Sequence, residues 1–264
     1  MGIFGHSHAW RAVALACGLV WFGPAANVAA GTLDSSAAPV MTGPSAEPFG
    51  LLTSPVTWGG LREKWLGVER RLDDERVQLA LCEGDPDRCA APAATQFLAI
   101  VATAKTHEGR ARLGEINRAI NLAIKPMSDL AQWGEIDVWS SPLVTFAHGA
   151  GDCEDYAIAK FVALRQADIP ADDLRIVVMR DTIHGEYHAV AMARLDGHWL
   201  TLDNRRMAMV EDVDVRNQRP LFMIDQHGVN QYVDTPLLAA APDRDQALVA
   251  LNLTGQLATA SSSN

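Results

Sequence analysis

Three residues of the types used in thiol catalysis occur in the second half of the chain: Cys153, His188 and Asp203. In such chemistry a cysteine attacks as a thiolate, a histidine accepts and returns its proton, and a carboxylate orients the imidazole. Cys153 stands where a run of helix-forming residues begins, and the free backbone N–H groups of a helix start stabilise a thiolate. The three residues therefore predict a nucleophilic triad carried by a helix start and two strands.

The segment around His188 and Asp203 predicts that these two side chains meet. Two strand-like segments are joined there by an Asp-Gly pair, which is a strong signal for a two-residue hairpin turn. This turn pairs Leu195 with His198, so His188 and Asp203 become diagonal neighbours on one face of the sheet, within reach of each other. The carboxylate then fixes the orientation of the imidazole. In the same register Asn204, an alternative orienting residue, points to the opposite face.

The elements that position these residues predict an α+β fold, with N-terminal helices packed on an antiparallel sheet. Apolar residues at three- and four-residue spacing predict helices over 61–82 and 94–126. A loop over 137–151 leads into a helix that begins near Asp152. Three short β-branched or alternating segments predict strands: 174–180, 187–195 and 198–203.

The two ends of the chain differ in composition from its middle. Residues 1–30 hold one basic residue, then an apolar run and a small-residue end, which is the order of a secretory signal. The apolar run is too short to span a bilayer. We expect a flexible leader over 31–48, one ordered domain over 49–238 and a low-complexity tail over 239–264.

The remaining cysteines make Cys153 stand out. Cys82 and Cys89 flank a turn-rich polar loop, and in an oxidising compartment we expect a disulfide between them. Six residues separate the two, which excludes a CxxC redox or zinc pair. Cys153 is then an unpaired thiol in an exported protein.

Several motifs resemble those of the bacterial transglutaminase-like cysteine proteinases, a family that includes the periplasmic LapG-type adhesin proteases. The matching segments are GDCEDYAIAKFVALR, EYHAVAMARL and WLTLDN, with INRAINLAIKP and DVWSSPLVTFAHGAG upstream. The resemblance implies a papain-like fold of the transglutaminase core and thiol peptidase chemistry. It implies Cys153, His188 and Asp203 as the triad, and calcium at the acids flanking the cysteine, Asp152 and Glu154.

These flanking acids pose an electrostatic problem for Cys153. Asp152 and Glu154 suit the dipole of a helix start, but their charge raises the pKa of an adjacent thiol. A divalent cation held by oxygen ligands would reverse the local field. Two carboxylates are few for calcium, which takes about six to eight oxygen ligands, and Asp155 and Asp181 are candidates for others. The alternative is that the acids only cap the helix.

The function predicted from these residues is an exported cysteine endopeptidase. It would form a thioester at Cys153, which water would release with His188 as the base. One alternative is a transglutaminase-type acyl transferase, which has the same triad and an amine acceptor. Another is a non-catalytic binding module on the same fold. A solvent-reactive Cys153 of lowered pKa favours an enzyme, and an inert buried thiol favours the binding module.

Other residues near the site have weaker interpretations. His184 and His188 are four residues apart, as in a helical zinc pair, but the surrounding pattern indicates a loop entering a strand. Trp139 is a candidate to cover the site or to donate its indole N–H to an oxyanion, with a core position as the alternative. His148 is a candidate to line the site. The backbone N–H of Cys153 is expected to serve the oxyanion, and no second donor is apparent.

The charge of the chain and the resemblance together limit its partners. The chain has 22 Lys and Arg against 32 Asp and Glu, a formal net charge of −10, which leaves no basic patch for nucleic acid or anionic lipid. No membrane span is expected once the signal is removed, and export implies a periplasmic location. Some family members release surface adhesins under the control of a membrane receptor. The resemblance thus implies a protein substrate, such as a cell-surface adhesin, and an inhibitory membrane receptor.

Overall fold

The computed structural model describes residues 47–233. The predicted signal over 1–30, the tail over 239–264, and the leader except for its last two residues lie outside this range. The predicted domain over 49–238 is described as far as Val233. Within 47–233, no helix has both the length and the apolar character needed to cross a membrane.

Helices occupy most of the first half of the described chain. The α-helices of residues 47–233 are α1 (Gly60–Gly84), α2 (Pro92–Lys105), α3 (Gly109–Ala123), α4 (Asp129–Trp133), α5 (Pro142–His148) and α6 (Cys153–Gln166). The last of these begins at the cysteine, as predicted.

Strands dominate the second half. The described strands are β1 (Thr53–Pro55), β2 (Lys125–Pro126), β3 (Ala150–Gly151), β4 (Leu174–Asp181), β5 (Tyr187–Leu195), β6 (His198–Leu202), β7 (Val210–Glu211), β8 (Gln218–Asp225) and β9 (Gly228–Tyr232). Seven of them form a sheet in the order β1-β9-β8-β4-β5-β6-β7, in which every pairing is antiparallel. β2 and β3 form a separate parallel pair. The α+β prediction is confirmed.

The two faces of the β5–β6 hairpin are buried against different layers. One face packs in the main core with the helices, and it carries Ala189, Ala191, Ala193, Leu200 and Leu202. The other face belongs to a second cluster with Val190, Met192 and Trp199. Because side chains alternate along a strand, the small residues of the first face let α6 lie close to the sheet. This packing brings the N-terminus of α6 to the end of the sheet where β5 begins.

Two local predictions are wrong. The segment over 94–126 is divided into α2 and α3 rather than continuous, and Gly109, with φ of 51°, begins the second helix. Part of the predicted loop over 137–151 is the helix α5. Its bounds have local causes: Pro142 occupies the first turn, where its missing N–H costs nothing, and Gly149 ends the helix in the left-handed conformation.

The strand β8 has no clear signal in the sequence. Pro220 lies inside this strand, and proline within a strand pattern argues against a paired strand. The ladder with β4 shifts register between Val178 and Met179, whose partners are Phe222 and Pro220. The proline therefore lies beside a bulge, where a missing donor is tolerated.

The predicted disulfide is present. Cys82 and Cys89 are bonded and close the loop that follows α1. Cys153 is free and half-buried.

Candidate active site

The hairpin brings His188 and Asp203 into contact. β5 and β6 pair in the predicted register, with Leu195 opposite His198. β6 ends one residue before Asp203, and His188 Nε2 lies 2.9 Å from Asp203 Oδ1. The neighbouring Asn204 has a buried side-chain oxygen that makes no hydrogen bond within residues 47–233.

The Asp203 carboxylate is stabilised as an anion. Burial alone would raise its pKa, but the hydrogen bond and charge of His188, the backbone N–H of Arg205 and the charge of Lys160 together lower the pKa of Asp203 below its ordinary value. The Arg205 N–H donates to Asp203 Oδ1 at 2.9 Å. The acid thus remains ionised at neutral pH and can hold the imidazole of His188 in one orientation.

Cys153 and His188 line the same cavity, which has a volume of about 870 Å³. Cys153 is the first residue of α6, and the backbone N–H of Ala189 helps to lower the pKa of its thiol. The His188 ring is 2% exposed, and its Nδ1 is buried without a hydrogen-bond partner among the described residues. Because Nε2 is paired with Asp203, Nδ1 is the ring nitrogen available to a thiol.

The electrostatic environment of Cys153 opposes ionisation. Burial raises the pKa of the thiol well above its ordinary value, and the negative charge of Glu154 raises it further. The thiol donates a hydrogen bond to Glu154 Oε2 at 3.1 Å. Burial and Glu154 therefore do not give Cys153 the lowered pKa expected of a catalytic thiol. Ionisation at neutral pH requires a positive charge on His188 or at the neighbouring acids.

The acids beside Cys153 form a cluster with a third carboxylate, Asp129, which no sequence motif indicated. One oxygen each of Asp129, Asp152 and Glu154 lies within 4.8 Å of the others. Asp129 Oδ1 and Asp152 Oδ1 are buried and have no hydrogen-bond partner in the described part of the chain. Burial raises the pKa of Asp152 and of Glu154, and the charge of Asp152 raises that of Glu154 further. The cluster thus has the donor type and the unsatisfied oxygens expected of a cation site.

The parallel pairing of β2 with β3 explains why Asp129 joins this cluster. Pro126 pairs with Gly151, so the chain enters α4 and α6 side by side and in the same direction. Asp129 begins α4, and Asp152 occupies the N-cap position of α6, where its side chain makes no capping hydrogen bond. No local pattern indicates this pairing, because each strand has two residues.

Asp155 and Asp181, the two further calcium-ligand candidates from sequence, have different surroundings. Asp155 is fully buried, and its Oδ1 accepts a hydrogen bond from the Ser140 N–H at 2.7 Å. Burial raises the pKa of Asp155 to about 7. A side chain at Gly151 would approach this carboxylate to 2.6 Å, so glycine is required there. Asp181 lies outside the acid cluster and closes the β4–β5 turn by accepting the backbone N–H groups of Ile183 and His184.

The other residues considered near the site, Trp139, His148 and His184, make contacts that do not involve the triad. The indole N–H of Trp139 donates to Asp137 Oδ1 at 2.9 Å, so it is already occupied, although the ring lines the cavity. His148 is exposed and packs on the ring of Trp133, with ring centroids 4.5 Å apart. His184 pairs with Asp181 rather than sharing a ligand site with His188. A zinc pair at these histidines is therefore not formed.

Comparison with known families identifies the chain. The model of the bacterial transglutaminase-like cysteine proteinases matches residues 77–219, more than half of the sequence. The chain belongs to this family. It is a transglutaminase-like cysteine peptidase, and the matched segment includes α6 and the β5–β6 hairpin. No curated protein matches the chain.

Solved structures of LapG from Legionella pneumophila are similar to this peptidase. One has 23% sequence identity and a TM-score of 0.47, and the match covers 53% of this chain and 77% of that chain. A calcium-bound form has 21% identity and a TM-score of 0.48, with 60% and 89% covered. An EGTA-treated form has 22% identity and a TM-score of 0.48, with 54% and 76% covered.

The cavity of the peptidase is predominantly apolar around its polar centre. Its lining residues Leu130, Ile136 and Tyr187 are 63%, 82% and 66% exposed. Exposed apolar groups around a concave site are typical of surfaces that bind another molecule.

Proposed function

We propose that this peptidase is an exported cysteine endopeptidase that uses Cys153 as nucleophile, His188 as general base and acid, and Asp203 as the orienting acid. One observation carries the proposal. Cys153 and His188 line one cavity, while His188 is paired with Asp203 through Nε2 and leaves Nδ1 without a partner among the described residues.

The proposed reaction follows from these positions. The thiol proton passes to His188 Nδ1, and the thiolate of Cys153 attacks the peptide carbonyl carbon. The imidazolium then protonates the leaving amine, which leaves a thioester. Water attacks the thioester with His188 as base, and the acid product departs as the thiol is restored. The Cys153 N–H lies at the start of α6, where it has no intrahelical acceptor, and is the proposed oxyanion donor.

We also propose that Asp129, Asp152 and Glu154 hold a calcium ion. Carboxylate oxygens are the ligands that this ion prefers, and two of these residues have buried oxygens without a partner in residues 47–233. When bound, calcium would supply positive charge beside the thiol. The three acids would then stay ionised, and Glu154 would cease to oppose the ionisation of Cys153.

The proposed setting is the periplasm, which the export signal predicted over 1–30 supports. The apolar cavity supports a protein substrate with apolar residues near the cleaved bond. A cell-surface adhesin as substrate and an inhibitory membrane receptor are proposals that come from the family resemblance.

Isotope incorporation tests whether the reaction is hydrolysis. The enzyme is incubated in ¹⁸O-labelled water with peptides prepared from exported proteins, with and without added methylamine. We expect one ¹⁸O atom in each new carboxyl terminus, because water resolves the thioester. A methylamide product would reassign the protein to acyl transfer, and the absence of any product would favour the binding module. Mass spectrometry distinguishes the three results.

Adjacent substitutions test which residue orients His188. Asp203→Asn is expected to lower kcat by about 10²–10⁴-fold, because the amide holds the imidazole in the wrong tautomer. The matched control is Asn204→Ala, for which we expect little change in kcat, since its side chain is not paired with the ring. Steady-state kinetics on a peptide cut by the wild type measure both. A larger loss in Asn204→Ala would assign the orienting role to Asn204 instead.

A further inference from the structure

A fully buried lysine lies behind the candidate triad. Lys160 is 0% exposed and follows Cys153 on α6 by about two helical turns. Lys160 is the only lysine that is buried within residues 47–233. Lysine is almost never fully buried unless its charge is paired. The proposed reaction does not use Lys160.

Lys160 contacts the end of β6, next to Asp203 in the chain, and the ring of Tyr156. Its Nζ donates to the Leu202 carbonyl at 3.2 Å and lies 5.7 Å from the centroid of the Tyr156 ring. The charges of Lys160 and Asp203 also interact. Burial lowers the pKa of Lys160 to about 7, the carboxylate opposes that fall, and the ammonium in turn helps to lower the pKa of Asp203.

The position of Asp203 explains why such a contact is needed. β6 ends at Leu202, so the sheet no longer holds the main chain at the acid. A second helix contributes here: Asn121 of α3 donates to the Asp203 carbonyl at 3.0 Å and to the Arg206 carbonyl at 3.0 Å. Side chains from two helices therefore hold the consecutive carbonyls of Leu202 and Asp203.

We propose that Lys160 is a positioning residue for the peptidase reaction. By holding the carbonyl of Leu202, the residue before Asp203, it keeps that acid where it pairs with His188. The inference rests on the proposed function, because it presupposes that His188 and Asp203 serve Cys153. It assigns Lys160 no contact with the substrate, so its loss should affect the rate of chemistry and leave substrate binding unchanged.

Three variants test this role. Lys160→Met keeps the length of the side chain but removes the charge and the donor, and Lys160→Arg keeps both. The matched control is Lys105→Met, a partly exposed lysine that pairs with Asp168 and does not line the cavity. We expect Lys160→Met to lower kcat by about tenfold to 10²-fold with little change in KM, since a small misplacement of a catalytic group has effects of this size. Lys160→Arg should recover part of the loss, and Lys105→Met should match the wild type.

The alkylation of Cys153 by iodoacetamide gives a second readout that needs no substrate. It should slow in Lys160→Met, because a misplaced His188 accepts the thiol proton less readily. Near-UV circular dichroism checks the fold. If Lys160→Met is recovered unfolded, Lys160→Gln, which keeps an N–H donor without the charge, replaces it in the same assays.

The outcomes separate this inference from the proposed function. A folded Lys160→Met with wild-type kcat, or with a loss confined to KM, would overturn the positioning role while Cys153→Ala remains inactive. Cleavage by Cys153→Ala would instead reject the proposed nucleophile, whatever the behaviour of Lys160→Met.

Discussion

Cys153→Ala is expected to abolish peptide cleavage and to leave the fold intact. The thiol is the proposed nucleophile, and removing a nucleophile of this kind lowers kcat by about 10⁴-fold or more. The side chain is half-buried and small, so its truncation removes little packing. Cleavage assays with purified wild type and variant, together with circular dichroism, measure both parts of the prediction.

The matched control for Cys153→Ala is a variant in which the other two described cysteines are replaced. The double variant Cys82→Ser, Cys89→Ser removes the disulfide that closes the loop after α1, which lies outside the cavity. It is expected to lose about 2–3 kcal/mol of stability, as the entropy of so short a loop suggests, and to keep its activity at a temperature where it is folded. If Cys153→Ala retained cleavage, the thioester mechanism would be wrong.

Removal of calcium is also expected to have a large effect on activity. With EGTA, we expect activity to fall by about 100-fold or more, because Glu154 then opposes ionisation of the thiol beside it. Added calcium should restore activity and raise the melting temperature, since a ligand that binds only the folded state stabilises it by mass action. Calorimetric titration with calcium measures the binding directly.

Single substitutions locate the calcium effect. Asp129→Asn and Asp152→Asn each remove one proposed ligand charge and should weaken calcium binding. Asp87→Asn, at an exposed acid in the disulfide loop, is the matched control and should bind as the wild type does. Equal activity in EGTA and in calcium, with no metal in the purified protein and no change in melting temperature, would exclude the calcium site.

The same cluster predicts how stability depends on pH. Burial raises the pKa of Asp152 and of Glu154 above the values of the unfolded chain, so the folded protein binds more protons. In EGTA the free energy of unfolding should therefore fall as pH rises from the ordinary carboxyl pKa, about 4, towards neutral pH. Calcium favours the ionised acids, so the fall should be smaller in its presence. Melting curves across this range measure the two slopes, and identical slopes would contradict a cation at these acids.

Some parts of the site follow from local sequence. The Asp-Gly turn sets the β5–β6 register, and the two-residue period of a strand then puts His188 and Asp203 on one face. The helix start at Cys153 follows from the Gly-Asp before it and the helix-forming residues after it. These features depend on neighbours within a few residues, so the chain specifies them without reference to the rest of the fold.

Other parts were decided by tertiary packing alone. Asp129 joins the acid cluster because two-residue strands pair in parallel, and Lys160 meets the end of β6 because α6 lies close to the small residues of the sheet. The raised pKa of the Cys153 thiol depends first on burial, which spacing along the chain does not encode. The contact between His188 and Asp203 therefore follows from local geometry, which the sequence specifies. The charges that govern the thiol come from segments far apart in the chain, and their proximity required the fold.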